Sequence, residues 1–272
     1  MGGGGAAAVF AVLGDPVDHS LSPAIHNAAF RAAGRPAVYV AKRVGAEECG
    51  PVLRSLALAG GGGNVTVPHK EAVLPFLDRR TEAVEATGAC NTFWAEEGAV
   101  WGDNTDVEGF RSTWEAVTGT MPKEGLEVLV LGAGGAARAV LLALLEAPGP
   151  PRIRLWNRTG ARAGELAGHF GEGRIELLDQ CAGATPEVVV NTTSAGLDGR
   201  STPIELARLG APPRCVIDLV YGSRPTPLCR RALALGAVAV DGREMLVRQA
   251  EASYERWFGE PPPRGVMTRA IE

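Results

Sequence analysis

Residues 128–145, VLVLGAGGAARAVLLALL, constrain the fold more than any other stretch of this chain. Val128–Leu131 is a short, fully apolar run that reads as a buried strand. Glycines at 132, 134 and 135 break it, and an apolar helical segment follows at once. The rhythm then repeats. Ile153–Trp156, Val188–Val190, Val216–Leu219 and Val238–Val240 are short β-rich runs, Ile175–Leu178 is a weaker one, and segments of helical length separate most of them. Strands joined by crossovers of this kind predict a parallel, doubly wound sheet.

The turn itself carries chemistry. Gly132-Ala133-Gly134-Gly135-Ala136-Ala137 fits G-x-G-x-x-A between a strand and a helix. In that context the first glycine allows a tight turn, the second lets the backbone approach a pyrophosphate, and the small last residue permits close helix–strand packing. The end of the next strand separates the two dinucleotides. An acid there holds a ribose 2′-hydroxyl, but this chain reads Trp156-Asn157-Arg158-Thr159-Gly160-Ala161-Arg162. Asn157 and Thr159 can hydrogen-bond a phosphate, and Arg158 and Arg162 can pair with its charge. The expectation is NADP(H) rather than NAD.

The first hundred residues are organised differently. Val9–Leu13 reads as a buried strand ended by Gly-Asp-Pro. Ser22-Pro23 then opens a helix, with Ser22 as N-cap, that stops at Gly34. Val38–Val40 and Asn64–Val67 read as strands, and Glu47–Ala59 as a helix ended by four glycines. Further helices are expected near Lys70–Leu77 and Thr81–Thr87. A hairpin is expected around Glu97-Gly98, and a helix from Asp106 to Val117. A long amphipathic helix, Met245–Trp257, closes the pattern. With 272 residues the chain is long enough for two cores.

Within the first part, GGGNVTVPHKE at 61–71 and CNTFWAEEGAVWGDNTDVEGF at 90–110 place a lysine, an aspartate and several Asn and Thr side chains at the ends of β-rich runs. That set suits a small polyhydroxylated molecule, because amides and hydroxyls both donate and accept. A net charge of −4 argues against nucleic acid as a partner. The four histidines form no ligand-spaced pair, so no metal site is expected. Five scattered cysteines without a CxxC pair favour reduced thiols and a cytoplasmic protein. No apolar stretch approaches the ~20 residues that span a bilayer. Gly2–Gly5 are expected to fray.

The chain resembles the shikimate dehydrogenases. The resemblance rests on GDPVDHSLSPAIHN at 14–27, NVTVPHKE at 64–71, GACNTF at 88–93, GDNTDVEGF at 102–110 and LGAGGAARAV at 131–140. It continues through NRTGAR at 157–162, NTTSAG at 191–196, IDLVYGSRPTPL at 217–228 and DGREMLVRQA at 241–250. It implies NADPH-dependent reduction of 3-dehydroshikimate to shikimate in aromatic amino acid biosynthesis, by a monomer or homodimer. Lys70 and Asp106 match the family's catalytic pair. Ser20 and Ser22 match hydroxyls that grip the substrate carboxylate, Tyr221 a further substrate contact, and Asn64, Thr66, Asn91, Asp106 and Gln249 side chains that bind ring hydroxyls. On the cofactor side the matches are Gly132, Ala133, Gly134, Gly135, Ala136, Asn157, Arg158, Thr159 and Arg162. Thr192, Ser194, Leu219, Gly242 and Met245 follow, with Glu82 the weakest match, since an exposed acid beside a phosphate-rich ligand is unfavourable.

The resemblance also implies an α/β fold of two domains: a discontinuous α/β substrate domain, 1–106 plus 242–272, and an inserted Rossmann NADP-binding domain, 107–241. Two other readings compete. One is a quinate/shikimate dehydrogenase, for which an acid at the end of the second Rossmann strand would favour NAD. The other is a ligand-sensing regulator, which could dispense with the Lys70–Asp106 pair.

Overall fold

The computed structural model describes residues 7–222 and 225–272. The expectation for Gly2–Gly5, and Ser223-Arg224 within the 217–228 match, lie outside the described residues. The chain forms two compact units, Met1–Gly109 with Leu246–Glu272, and Phe110–Met245.

The first unit begins with β1 (Ala8–Gly14), α1 (Ser22–Ala32), β2 (Ala37–Arg43), α2 (Ala46–Leu58) and β3 (Gly62–Val65). Helical crossovers make these three strands parallel. After β4 (Arg79–Arg80) and α3 (Glu82–Thr87) come β5 (Thr92–Glu96) and β6 (Ala99–Asp103), and then the start of α4 (Asp106–Thr118). The sheet order is β2-β1-β3-β5-β6-β4. Glu97 and Gly98 both have positive φ, 52° and 78°, which is the two-residue turn that a tight hairpin requires. Leu13, Leu53, Phe93 and Val100 are completely buried between the sheet and α2, each contributing roughly 1.5–3 kcal/mol.

Three local expectations change. The glycines after α2 do not only end a helix, because Gly62 and Gly63 belong to β3, which stops at Val65 rather than Val67. At Gly63 (φ 155°) a Cβ would lie 2.0 Å from the Ala11 carbonyl oxygen, so only glycine lets β3 lie against β1 here. Residues 70–77 form turns and a single 3₁₀ turn, Leu74–Phe76, instead of an α-helix. Pro75 supplies no N–H for a longer helical ladder. Finally, α1 starts at Ser22 with Leu21 as N-cap, so Ser22 is the first helical residue and makes no side-chain cap. The Oγ of the neighbouring Ser20 accepts from the Ser22 N–H at 3.3 Å.

The second unit contains β7 (Glu127–Leu131), α5 (Gly135–Leu145), β8 (Arg152–Trp156), α6 (Gly160–His169), β9 (Glu176–Leu177), β10 (Val188–Asn191), β11 (Cys215–Asp218), α7 (Pro227–Ala234) and β12 (Val238–Val240). All six strands are parallel, in the order β12-β11-β10-β7-β8-β9. The chain therefore winds outward from β7 to one edge, returns to its other side at β10 and winds to the opposite edge. The switch point lies between β7 and β10, and ligands of such sheets sit at the carboxyl ends of the strands there.

Helix α8 (Arg243–Phe258) returns the chain to the first unit, followed by α9 (Val266–Arg269), which packs on α1. Trp257 and Phe258 join Phe10, Phe30, Tyr39 and His26 in an aromatic cluster. At Gly109 a Cβ would lie 2.8 Å from the Gln249 Cβ, so the absence of a side chain lets α8 pass α4 closely. No helix among the described residues is long and apolar enough to cross a membrane. All five cysteines are free and buried.

Candidate active site

In the first unit, β1, β3 and β6 run parallel and β5 antiparallel to them. Their topology gathers one set of polar residues at one end of the sheet's inner strands. Thr66 and Lys70 follow β3, Asn91 precedes β5, Asp106 follows β6, and Ser20 and Ser22 follow β1. Lys70 is held from behind, its carbonyl accepting from the Cys90 N–H at 2.8 Å.

The Lys70 ammonium donates to Asp106 Oδ2, and the two side chains are only 12% and 8% exposed. Asn91 Nδ2 donates to the other carboxylate oxygen of Asp106 at 2.9 Å and to Gln249 Oε1 at 3.3 Å. Gln249 Nε2 donates one hydrogen to the Leu246 carbonyl at 2.8 Å, which leaves the second for a ligand. Asn64 Nδ2 donates to the Asn91 carbonyl at 3.1 Å. Thus Lys70, Asp106, Asn91, Gln249 and Asn64, drawn from five stretches of the chain, form one hydrogen-bonded group. Breaking a buried ion pair of this kind by removing one partner costs about 3–5 kcal/mol.

Ser22 is buried, while Ser20 and Thr66 are half-buried at the same end of the strands. The Thr66 N–H donates to the Leu13 carbonyl at 2.8 Å, fixing its backbone to the end of β1. Glu82 also belongs to this unit. It is the exposed first residue of α3, where a negative charge favours the helix dipole, whereas every other residue matched to the cofactor lies in the second unit.

There, Gly132 follows β7 with φ 109°, and a Cβ on it would lie 2.6 Å from Thr192 Oγ1. Gly134, the N-cap of α5, has an ordinary extended backbone (φ −105°, ψ −171°), and a Cβ on it would meet nothing within 4 Å. The protein itself does not require glycine at 134. Ala133, Gly135 and Ala136 complete a helix start that has no side-chain cap, so its first-turn N–H groups are available to an anion. A dinucleotide pyrophosphate fits these features.

Asn157 follows β8, and its Nδ2 donates to the Thr159 carbonyl at 2.9 Å, closing the turn. Arg158, Thr159 and Arg162 are exposed around the start of α6. Across the switch point, Thr192 Oγ1 donates to the Leu131 carbonyl at 2.7 Å, and Ser194 is exposed. At Gly242 a Cβ would lie 2.1 Å from the Leu219 carbonyl oxygen, which explains glycine there. Met245 is buried, while Leu219 and Tyr221 are half-buried.

Sequence reasoning missed the residues that hold these groups. Asp218 is wholly buried at the end of β11. Burial pushes its carboxyl above the usual range, opposed by hydrogen bonds from Thr226, Asn191 and the Val220 N–H. Asn191 in turn accepts from the Thr193 N–H and hydroxyl, so it organises the loop that carries Thr192. In the first unit, Tyr39, Thr105 and Ser253 contact the polar group. Ser253 lies one helical turn beyond Gln249, and that i, i+4 spacing is the available signal. His26 is fully buried, and desolvation lowers its pKa to about 3.

Comparison with known proteins places this arrangement. The sequence profile of the shikimate dehydrogenase substrate binding domain matches residues 12–93, and that of the shikimate 5′-dehydrogenase C-terminal domain matches residues 242–272. The shikimate dehydrogenase (NADP(+)) of Salinibacter ruber is 42% identical over 276 residues, covering 96% of this chain and 95% of that protein. The crystal structure of shikimate dehydrogenase from Aquifex aeolicus superposes with a TM-score of 0.88 at 34% identity, covering 98% of each chain. That of shikimate 5-dehydrogenase from Thermus thermophilus, in complex with NADP(H) and shikimate, gives 0.84 at 37% identity, covering 96% of this chain and 97% of the other. With two α/β units, one of them a Rossmann sheet, and full-length relatives at this identity, the chain belongs to the shikimate dehydrogenase family.

Proposed function

We propose that this protein catalyses the reversible, NADP-dependent interconversion of shikimate and 3-dehydroshikimate, with the first unit binding the substrate and the second the dinucleotide. The observation that carries this reading is the buried Lys70–Asp106 pair with Asn91 on the second carboxylate oxygen. A ring alcohol beside this pair gives up its hydroxyl proton to the pair as the carbon loses hydride. In the reverse direction the pair returns the proton to the carbonyl oxygen. NADP supplies the hydride acceptor, and NADPH the donor. Asp106 anchors the Lys70 ammonium while Asn91 fixes the carboxylate, so the proton donor is aimed before substrate arrives. Gln249 and Thr66 offer groups that can read neighbouring ring hydroxyls, and Ser20 and Ser22 offer hydroxyls to the ring carboxylate.

On the dinucleotide side, the first turn of α5 would hold the pyrophosphate, and Arg158 with Arg162 the 2′-phosphate. Neither acid nor other negative charge stands in the 157–162 segment, which favours NADP over NAD. Steady-state assays with shikimate and quinate, each with NADP and NAD, test the proposal. The expected result is the largest kcat/KM for shikimate with NADP. A larger value for quinate with NAD would overturn it.

A further inference from the structure

The polar group of the first unit is backed by a chain of hydrogen bonds that runs in one direction. Tyr39 OH donates to Asn64 Oδ1 at 2.7 Å. Asn64 Nδ2 donates to Ser253 Oγ at 3.0 Å. Ser253 and Thr105 hydroxyls meet at 2.9 Å, and the Thr105 hydroxyl donates to Asn91 Oδ1 at 3.1 Å. A hydroxyl has one hydrogen. Thr105 spends its own on Asn91, so the Ser253 hydroxyl must be the donor between the two. Asn91 then passes the polarity on, donating from Nδ2 to Asp106 Oδ1 at 2.9 Å. Every link between Tyr39 and the Asp106 carboxylate therefore points the same way, and such chains strengthen each bond within them.

The chain also fixes which way each amide faces. Asn91 Oδ1 accepts from both the Thr105 N–H, at 2.8 Å, and the Thr105 hydroxyl. Its Nδ2 is thereby committed to Asp106 and Gln249. A flipped Asn91 would aim its oxygen at the carboxylate. Ser253 and Thr105 are 0% and 2% exposed, so both hydroxyls are shielded from bulk solvent and paired within the protein.

We propose that Ser253, acting through Thr105, is a positioning residue: by way of the Thr105 hydroxyl it adds to the Thr105 N–H in holding the amide orientation of Asn91, and with it the Asp106 carboxylate, while anchoring Asn64 from the same oxygen. The proposal rests on the shikimate dehydrogenase reading of the site. The test compares the full-length enzyme with Ser253→Ala, Thr105→Val and the double variant. Two readouts are taken: steady-state kinetics, and hydrogen exchange of the Asn64 and Asn91 side-chain amides by NMR. Each single variant is expected to raise KM for shikimate about three- to tenfold, with KM for NADP unchanged, and to speed exchange of both amides at least tenfold. The double variant is expected to be no more than twofold worse than the poorer single one, because both changes cut the same chain. Thr105→Ser, which keeps the hydroxyl, is expected to rescue KM.

An unchanged KM for shikimate in Ser253→Ala would overturn the proposal, as would multiplicative effects in the double variant. A loss of kcat alone, in proportion to the folded fraction, would also overturn it. If the wild-type protein does not turn over shikimate with NADP, the reading of the reaction fails. The amide exchange then decides the hydrogen-bond chain by itself: unchanged rates in Ser253→Ala overturn it, and faster rates support it.

Discussion

Two alanine substitutions, two residues apart in the same turn, should have opposite consequences. At Gly132 the backbone has φ 109°, and a Cβ would lie 2.6 Å from Thr192 Oγ1 and 2.9 Å from Thr193 Cγ2. Backbone strain in such a region costs about 1–3 kcal/mol, and overpacking adds roughly 1–3 kcal/mol. Gly132→Ala should therefore destabilise the protein by about 2–6 kcal/mol, lowering Tm by on the order of 5–15 °C. At Gly134 the backbone is ordinary and the added Cβ meets nothing within 4 Å. Alanine there restricts the unfolded chain and should stabilise by about 0.4–1 kcal/mol. The methyl group would nevertheless occupy the space through which a pyrophosphate approaches the backbone. NADPH affinity should fall about tenfold or more, ~1.4 kcal/mol. Thermal melts and calorimetric titration with NADPH separate the two effects. If Gly134→Ala binds NADPH as tightly as wild type, or melts several degrees lower, then glycine at 134 is not there for a ligand and the assignment of this turn is refuted.

Other consequences follow from the same geometry. Lys70→Ala should lower kcat by about 10²–10⁴-fold, with a modest change in shikimate affinity measured by titration; near-wild-type turnover would remove Lys70 from the mechanism. Arg158→Ala combined with Arg162→Ala should raise KM for NADPH at least tenfold and leave KM for NADH nearly unchanged. Both side chains are exposed, so that difference should shrink as ionic strength rises. His26 is neutral in the folded protein, with a pKa near 3, while an unfolded histidine takes up a proton below about pH 6.5. Its contribution to stability is therefore full above pH 6.5 and is lost as pH falls, at about 1.4 kcal/mol per pH unit. Denaturant titrations between pH 7 and pH 4 should show His26→Phe losing less stability than wild type over that range, and parallel curves would contradict this.

Local signals in the sequence account for much of the architecture. The strand–turn–helix at 128–145 and the β-branched runs after it anticipate the six parallel strands, because parallel strands are buried on both faces and their residues are apolar without alternation. Glu97-Gly98 marks the hairpin because tight hairpins need positive φ. The glycines at 60–63 are harder to read. The need for glycine at 63 comes from the Ala11 carbonyl, far back in the chain, and not from the end of α2. Residues 70–77 look helical by spacing, yet Pro75 and the tether between Lys70 and Cys90 hold them as turns. Ser22 looks like the cap of α1, but it is the first helical residue, and its own N–H donates to the Ser20 hydroxyl.

The candidate site shows the same division. Lys70, Asp106 and Asn91 stand out as polar residues beside apolar runs, whereas Gln249 enters only through the family resemblance. Tyr39, Thr105 and Ser253 do not, because a buried hydroxyl is indistinguishable in sequence from an exposed one until tertiary packing brings its partner. Asp218 is a further case, since nothing local separates it from a surface acid at a strand end.

The most direct test of the central claim is a crystal structure of the protein with shikimate. The ring should lie within hydrogen-bond distance of both the Lys70 ammonium and the Asp106 carboxylate through one hydroxyl, with Gln249 on a neighbouring one. Shikimate bound with none of its hydroxyls in reach of Lys70 or Asp106 would contradict it.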